Sequence, residues 1–460
     1  MYRSRRIHLI GIGGAGMSGI AEVLLTLGYE VSGSDLKDGP GIERLRSLGG
    51  RIAIGHAAEN LGEAEVVVIS SAVPRSNPEW AEAERRGIPA VPRAEMLGEL
   101  MRTKYAVAVS GAHGKTTTTS MIASVLTAGG LDPTVVVGGR IRAGQSGARL
   151  GAGLYMVAEA DESDGSFLKL LPTVTVVTNL DREHMDHFGS MNALREAFAA
   201  FIARVPFYGV AVLCIDDPEV RELAAGASRR IRTYGTAPDA EFRAVEIAAA
   251  GLETRYVAVH DGTRLGPVNL PMPGQHNVLN SLAAIAVGME FNLPFAAIRD
   301  GLAQFGGVAR RFEIRGEERG VILVDDYGHH PTEIATVLAT ARATWPDRRL
   351  VVVFQPHRFT RTRDLLARFA VAFTNAARLI LLPIYAAGEK PIPGVTAAGL
   401  GAAVEEGSKV PVTVAQDLEA ASQILHREVR AGDVILTLGA GDVWRVGEAW
   451  LGVASHPAGV

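Results

Sequence analysis

A chain of 460 residues with 47% hydrophobic residues and 52 glycines is too long for one core and points to about three α/β domains rich in tight strand-to-helix turns. A net charge of −4 gives no basis for binding nucleic acid or an anionic membrane surface, and a lone cysteine, Cys214, excludes an intramolecular disulfide and a cysteine zinc cluster. Arg3, Arg5 and Arg6 precede an apolar run that breaks at Gly11, too short for a signal peptide. No uncharged apolar run reaches about 18 residues, so the expectation is a soluble, cytoplasmic protein.

The first block, residues 1–103, opens on a strand from Ile7 to Ile10, followed by Gly11-Ile12-Gly13-Gly14-Ala15-Gly16 and a helix through Leu27. A second strand from Tyr29 places Asp35 at its end. GxGxxG after a strand, with an acid about 20 residues on, marks a pyrophosphate site at a helix N-terminus. Alone it suggests a nicotinamide dinucleotide, but the same geometry accepts the pyrophosphate of a UDP-sugar. A strand from Val66 to Ile69 ends in Ser70-Ser71, at the carboxyl edge where such sheets bind ligands. His56 follows another strand end, either as a ligand contact or as a solvated loop residue.

The second block, residues 104–311, carries Ser110-Gly111-Ala112-His113-Gly114-Lys115-Thr116-Thr117 between a strand (Ala106 to Val109) and a helix running past Leu126. Strand, glycine turn, Gly-Lys-Thr and helix together cradle a nucleotide triphosphate: Lys115 reaches the β/γ-phosphates and Thr116 can ligate magnesium. The spacing is short, because the general motif has its first glycine six residues before the lysine and Gly111 stands four before Lys115. A strand from Tyr155 to Ala158 delivers Glu159, Asp161, Glu162 and Asp164. Another, Val174 to Thr178, delivers Asn179, Asp181, Glu183, His184 and His187. Hard oxygen ligands with an imidazole beside a phosphate loop suit magnesium. Cys214 falls in an apolar run and reads as core. A helix is expected from Asn192 to Val205, and residues 241–272 alternate as a small antiparallel addition. Asn277 and Asn280 lie one helical turn apart, placed either to hold an adenine edge or, for Asn277, to cap the helix.

The third block, residues 312–460, again alternates strands and helices, which predicts a parallel sheet. Its strands end in Asp325-Asp326-Tyr327-Gly328-His329-His330-Pro331, in Gln355-Pro356-His357-Arg358-Phe359-Thr360-Arg361 and in Gly439-Ala440-Gly441-Asp442. Arg358 and Arg361 suit a small carboxylate through paired guanidinium hydrogen bonds.

These motifs, in this order along essentially the whole chain, resemble the Mur ligases. The resemblance rests on Gly11 to Gly19, Gly114 to Thr118, Glu159 to Asp164, Glu183 to Asp186, Gly274 to Asn280, Arg310 to Phe312, Asp325 to Pro331 and Gln355 to Arg361. It implies an α/β fold of three domains: a Rossmann-like UDP-binding domain, a central P-loop-type ATP-binding domain with a parallel sheet plus a small antiparallel addition, and a C-terminal Rossmann-like domain. The implied reaction uses ATP to convert the lactyl carboxylate of UDP-N-acetylmuramate into an acyl phosphate, which the amine of L-alanine attacks. Holding two anions within reach calls for cations and fixed donors rather than a covalent nucleophile.

By resemblance, Gly111, Ala112, His113, Gly114, Lys115, Thr116, Thr117, Asn277, Asn280 and Arg311 bind ATP. Thr116 and Glu159 hold one magnesium and His184 a second, with manganese as a substitute. Lys115, Glu159, His184 and Arg311 form the catalytic set. Gly13, Gly14, Ala15, Gly16, Met17, Ser18, Asp35, His56 and Ser70 hold the UDP-sugar. Tyr327, His329, Arg358 and Arg361 bind the amino acid. The implied protein is a monomer or weak homodimer without nucleic-acid or membrane partners.

Two departures stand out. Ala112 replaces the usual threonine, and no lysine lies between Lys169 and Lys390 to serve as the carbamylated lysine of several sister ligases. Three other readings stay open at this stage: a ligase that recycles a preformed tripeptide, an NAD-dependent oxidoreductase, and a non-catalytic nucleotide-binding protein.

Overall fold

Short apolar runs alternating with glycine turns build three separate sheets in a computed structural model that describes residues 5–70, 72–137 and 148–452. Arg3, Ser71 and the side chain of Ala15 lie outside the described residues.

The first sheet contains β1 (Arg6–Ile10), β2 (Glu30–Asp35), β3 (Arg51–Ile54), β4 (Val66–Ile69) and β5 (Ala90–Pro92), all parallel in the order β3-β2-β1-β4-β5. The order reverses between β1 and β4, and this switch opens a crevice at their carboxyl ends.

The second sheet runs β15-β14-β13-β12-β11-β10-β6-β9-β7-β8. Its strands are β6 (Tyr105–Ser110), β7 (Thr134–Val136), β8 (Ala148–Arg149), β9 (Tyr155–Glu159), β10 (Val174–Val177), β11 (Val210–Cys214), β12 (Ile231–Gly235), β13 (Phe242–Ala250), β14 (Glu253–His260) and β15 (Thr263–Leu270). β6 lies between β9 and β10, parallel to both, whereas β13–β15 form the expected antiparallel addition. β6, β10 and β11 are buried on both faces, which is why they read as continuous Val/Ala runs rather than alternating ones. Cys214 is buried there, and burial pushes its thiol up to about 12, so it is core and not a nucleophile.

The third sheet, β16 (Glu313–Glu318), β17 (Val321–Asp326), β18 (Leu350–Phe354), β19 (Arg378–Leu381), β20 (Val412–Val414) and β21 (Val434–Leu438), has the order β16-β17-β21-β18-β19-β20. Only β16 is antiparallel.

Two helices, Lys115–Ala128 and Gln275–Glu290, cover one face of the middle sheet and share a core of Met121, Ile122, Val125, Leu282 and Ile285. Each such side chain contributes about 1.5–3 kcal/mol by leaving water, so the phosphate loop between β6 and its helix is built on rigid walls. The helix expected from Asn192 runs Met191–Ala203 and is capped by Ser190, whose side chain accepts from Ala193 N. Asn277 is not a cap: Gly274 holds the cap position, and the Asn277 amide donates to Pro273 O at 2.8 Å. Among the described residues no helix is long and apolar enough to cross a membrane.

Candidate functional site

β6 ends at Ser110 and the helix starts at Lys115, so four residues must reverse the chain. Gly111 (φ +133°) and Gly114 (φ +82°) take conformations that disfavour side chains. A Cβ would meet Thr178 Oγ1 at 2.1 Å on Gly111 and Asn280 Oδ1 at 2.7 Å on Gly114. The end of β10 clamps the loop. Ala112 N–H donates to Asn179 O (3.0 Å), His113 N–H to Asn179 Oδ1 (2.8 Å), and Thr178 Oγ1 to His113 O (2.7 Å). The amides of Ala112 and His113 are therefore engaged by Asn179, while the leading N–H groups of the helix that follows have no intrahelical acceptor.

The Lys115 ammonium donates to Gly111 O (2.7 Å), Ala112 O (3.3 Å) and Glu162 Oε1 (2.8 Å). Burial would lower its pKa, but the carboxylates of Glu162, Asp161 and Glu159 outweigh burial and keep it charged. Burial pushes Glu162, 2% exposed, up to about 7 against the pull of Lys115. Thr116 Oγ1 donates to Glu159 Oε2 at 2.9 Å. His184 Nε2 lies 3.8 Å from Glu162 Oε1 and 3.9 Å from Glu183 Oε2, and ligand atoms of these three residues all fall within 4.8 Å of one another. Burial lowers the His184 pKa, leaving an imidazole lone pair available. The donor set therefore fits magnesium in two groups, Thr116 with Glu159 and Glu162 with Glu183 and His184. A dication would favour the ionised form of the buried Glu162. Glu162 and Glu183 were visible at strand ends in the sequence but not singled out as ligands.

Next to the loop is a cavity of about 270 Å³ whose lining includes His113, Gly114, Thr117, Met272, Asn277, Leu279, Asn280, Arg311 and Glu333. Asn280 Nδ2 donates to Asn277 Oδ1 (3.2 Å), and Thr118 Oγ1 donates to Asn280 Oδ1 (3.0 Å), so both amides are held in place. Arg311 Nη1 stands 3.6 Å from Glu333 Oε1, and its guanidinium lies over the Tyr327 ring at 5.2 Å.

Glu333 occupies the third position of the helix Pro331–Thr344 and completes a capping box with His330. It also stands 3.4 Å from His113 Nδ1, while His113 Nε2 donates to Asp181 Oδ2 at 3.0 Å. Burial would lower the His113 pKa, but these two carboxylates outweigh it and hold the imidazolium up to about 10. Asp181 further accepts from Thr332 Oγ1 (2.6 Å) and Arg368 Nη1 (2.8 Å). His113, Asp181 and His330 have ligand-like spacing, but the Arg368 guanidinium and the His113 imidazolium already neutralise the carboxylate. Sequence reasoning did not reach Thr332, Glu333 or Arg368. The His330-Pro331-Thr332-Glu333 capping pattern signalled Glu333; nothing signalled Arg368.

A second cavity, about 320 Å³, is lined by Glu183, His184, Arg358, Thr360 and Arg361 among others, with Arg361 Nη2 3.5 Å from Glu183 Oε1. Tyr327 and His329, expected beside the two arginines, do not line it. Tyr327 lies under the Arg310 and Arg311 guanidiniums, whereas His329, its Nδ1 3.1 Å from Tyr327 O, packs edge-on to His357 at 5.5 Å, and His357 Nδ1 lies 3.3 Å from Arg361 Nη1.

In the first unit, Gly14 precedes the helix Ala15–Thr26, and Gly13 N–H donates to Asp35 Oδ2 at 2.8 Å. Met17, 2% exposed, packs its side chain into the core. Ser18 is half-buried one residue further on, and Ser70 ends the crevice on the β4 side. His56 is not a solvated loop residue: its Nδ1 lies 2.8 Å from Ser34 Oγ. Gly16, Arg93, Glu159 and Asp161 line a cavity of about 190 Å³ that joins the first unit to the acidic end of the second.

Three parallel-sheet units around a phosphate loop, an acidic magnesium-type cluster and an arginine-lined cavity define a nucleotide-dependent α/β enzyme. Family models agree: "Mur ligase family, catalytic domain" matches residues 6–105, "Mur ligase middle domain" 109–288 and "Mur ligase, glutamate ligase domain" 310–441. The chain belongs to the Mur ligase family. It is 55% identical over 452 residues to the UDP-N-acetylmuramate–L-alanine ligase of Geobacter sp. (strain M21), covering 98% of each chain. The crystal structure of the UDP-N-acetylmuramate–alanine ligase MurC of Thermotoga maritima superposes with a TM-score of 0.80 at 28% identity, covering 97% of this chain and 98% of that one. A murein peptide ligase of Psychrobacter arcticus shares the fold, with a TM-score of 0.69 at 23% identity over 99% and 100% of the two chains.

Proposed function

We propose that this chain uses ATP to join L-alanine to the lactyl carboxylate of UDP-N-acetylmuramate, releasing ADP and phosphate, a step of peptidoglycan precursor synthesis in the cytoplasm. The observation that carries this reading is convergence: the arginine-lined cavity and the cavity leading from the first unit border the acidic cluster around Lys115, and the cavity with Asn277 and Asn280 lies against Gly114 and Thr117 on either side of that lysine. The likeness to alanine-adding relatives over the full chain names the substrates.

Residues 1–103 take the UDP-sugar, 104–311 take ATP, and 312–460 take the amino acid. A carboxylate is a poor electrophile because its leaving group would be oxide. Transfer of the γ-phosphoryl group gives an acyl phosphate, the alanine amine adds to its carbonyl, and phosphate leaves the tetrahedral intermediate. Lys115 and Arg311 offset the charge of the transferring phosphoryl group. Arg358 and Arg361 bind the alanine carboxylate and point the amine toward the acyl carbon. Magnesium, held by Thr116 and Glu159 and by Glu162, Glu183 and His184, supplies charge neutralisation on phosphate oxygens.

The test is phosphate release by the purified full chain with UDP-N-acetylmuramate, ATP and magnesium. Release should require an amino acid, with L-alanine best and glycine or serine weaker. Equal release with tripeptide would favour a recycling ligase, and release without any acceptor would sink the assignment.

A further inference from the structure

Behind the glycine turn of the first unit lies a polar cluster that phosphate binding does not explain. Glu79, fully buried, is the second residue of the helix Pro78–Arg86, which Asn77 caps. Its Oε1 accepts from Ala57 N–H (3.2 Å) and Asn60 Nδ2 (2.6 Å), and its Oε2 accepts from the Ser34 hydroxyl and from His8 Nε2 (3.3 Å). Ala57 N–H and Asn60 Nδ2 can only donate, and Ser34 and His8 can each add a donor, a setting that favours the carboxylate. Burial raises its pKa, but the bonds from His8, Ser34 and Asn60 outweigh burial and hold it at about 2.

The consequence passes to His56. Ser34 has one hydroxyl proton, and Glu79 can only accept, so that proton is spent on Glu79. The contact between Ser34 Oγ and His56 Nδ1, at 2.8 Å, must then be an Nδ1–H donating to the hydroxyl. Glu79 Oε2, 3.6 Å from the same nitrogen, favours the proton there. In a neutral ring, Nε2 is left as a bare acceptor. The His56 side chain is 15% exposed.

The place matters. Ser34 O accepts from Gly11 N–H (2.9 Å) and Ile12 N–H (3.0 Å), so one residue ties the glycine turn to His56. A nucleoside diphosphate with its pyrophosphate on the turn after β1 passes Asp35 at the end of β2. β3 lies beside β2 and ends two residues before His56, so a base extending past Asp35 would come toward that histidine.

We propose that Glu79, acting through Ser34, fixes His56 in its Nδ1–H tautomer, and that the bare Nε2 selects uracil by accepting the N3–H of the base. Cytosine presents a bare N3, and two facing lone pairs repel. Glu79 and Ser34 are thus positioning residues for nucleotide choice. The inference rests on the reading that the first unit binds the UDP-sugar.

The test uses the ¹⁵N-labelled full chain. Long-range ¹H–¹⁵N correlation of the His56 ring, assigned by its loss in His56→Gln, should show Nδ1 protonated and Nε2 bare, with Nε2 shifting when UDP is added. Calorimetry should give UDP a preference over CDP of about tenfold or more, the size expected for one hydrogen bond against an unpaired buried acceptor. Glu79→Gln frees the Ser34 proton for Nδ1, so the ring should switch to Nε2–H. The UDP preference should then fall to within about threefold, and KM for the UDP-sugar should rise about tenfold while kcat stays within about threefold. If Glu79→Gln does not fold, the wild-type tautomer and its Nε2 shift on UDP binding still decide. A wild-type ring protonated on Nε2 or on both nitrogens overturns the proposal. So does a tautomer or UDP preference unmoved by Glu79→Gln. Failure of the wild type to bind UDP at all, with the tautomer as stated, would instead bring down the assignment of the first unit, and the proposal with it.

Discussion

Asp181→Asn is the sharpest test of how the third unit is docked. The wild-type carboxylate accepts from His113 Nε2 at 3.0 Å within its own unit, and from Thr332 Oγ1 at 2.6 Å and Arg368 Nη1 at 2.8 Å in the third. Breaking a buried ion pair costs about 3–5 kcal/mol. Arg368 is 41% exposed, so its share is screened toward the roughly 1 kcal/mol of a surface pair. Asparagine keeps one acceptor oxygen and turns an amide donor toward other donors. The net loss is about 2 kcal/mol of docking energy, or about thirtyfold in the docked-to-undocked ratio. Because Glu333, Thr336 and Val337 of the third unit line the nucleotide cavity, weaker docking should raise KM for ATP by a similar factor. Limited proteolysis near residues 308–312 should accelerate, and the radius of gyration from small-angle scattering should grow.

The sign with pH follows. The His113 pKa is raised from 6.5 to about 10, so its contribution is complete below about 6.5 and lost as pH rises through about 10. Asp181 is held well below its ordinary 3.8, so its contribution is present above about 4 and lost on acidification. Wild-type folding stability should therefore fall as pH rises from about 6.5 through about 10, and in Asp181→Asn the alkaline loss should begin at lower pH. Unchanged cleavage and scattering, with an ATP KM within twofold of wild type, would refute the reasoning.

Two further outcomes are expected. Lys115→Ala should abolish phosphate release while leaving UDP-sugar affinity within about threefold by calorimetry; a matching loss of that affinity would mean the two phosphate sites have been given the wrong ligands. Gly111→Ala places a Cβ 2.1 Å from Thr178 Oγ1 at a φ of +133° and should destabilise by about 2–4 kcal/mol. Ala112→Thr, at a half-buried position whose amide is already bound to Asn179, should stay within about 0.5 kcal/mol in thermal melts. Equal melting of the two variants would contradict the loop geometry.

The phosphate loop, the first glycine turn and the strand-end carboxylates were legible because each is a local pattern. Strand period, glycine turn and helix start fall within one window of about 15 residues, and backbone sterics act over that range. The acidic cluster was legible as two strand ends of one block, which a parallel sheet brings to the same edge. Met17 is the opposite case: its place in the motif was plain, but only the packed helix shows that its side chain faces the core. Tyr327 and His329 follow one strand end, yet only the fold shows that Tyr327 stacks under Arg310 and Arg311 while His329 packs on His357 beside Arg361.

By itself, then, the sequence determined the three-sheet α/β architecture, the phosphate loop and the family, since these depend on near-neighbour periodicity and on motif order. Only the tertiary structure decided that Asp181 joins Thr332 and Arg368, 151 and 187 residues away, and that Glu79 reaches His56 through Ser34. Hydrogen bonds between side chains so far apart leave no periodic trace, because any surface helix carries an arginine or a threonine. Their meaning arises only when chain packing removes water and leaves each donor a single acceptor.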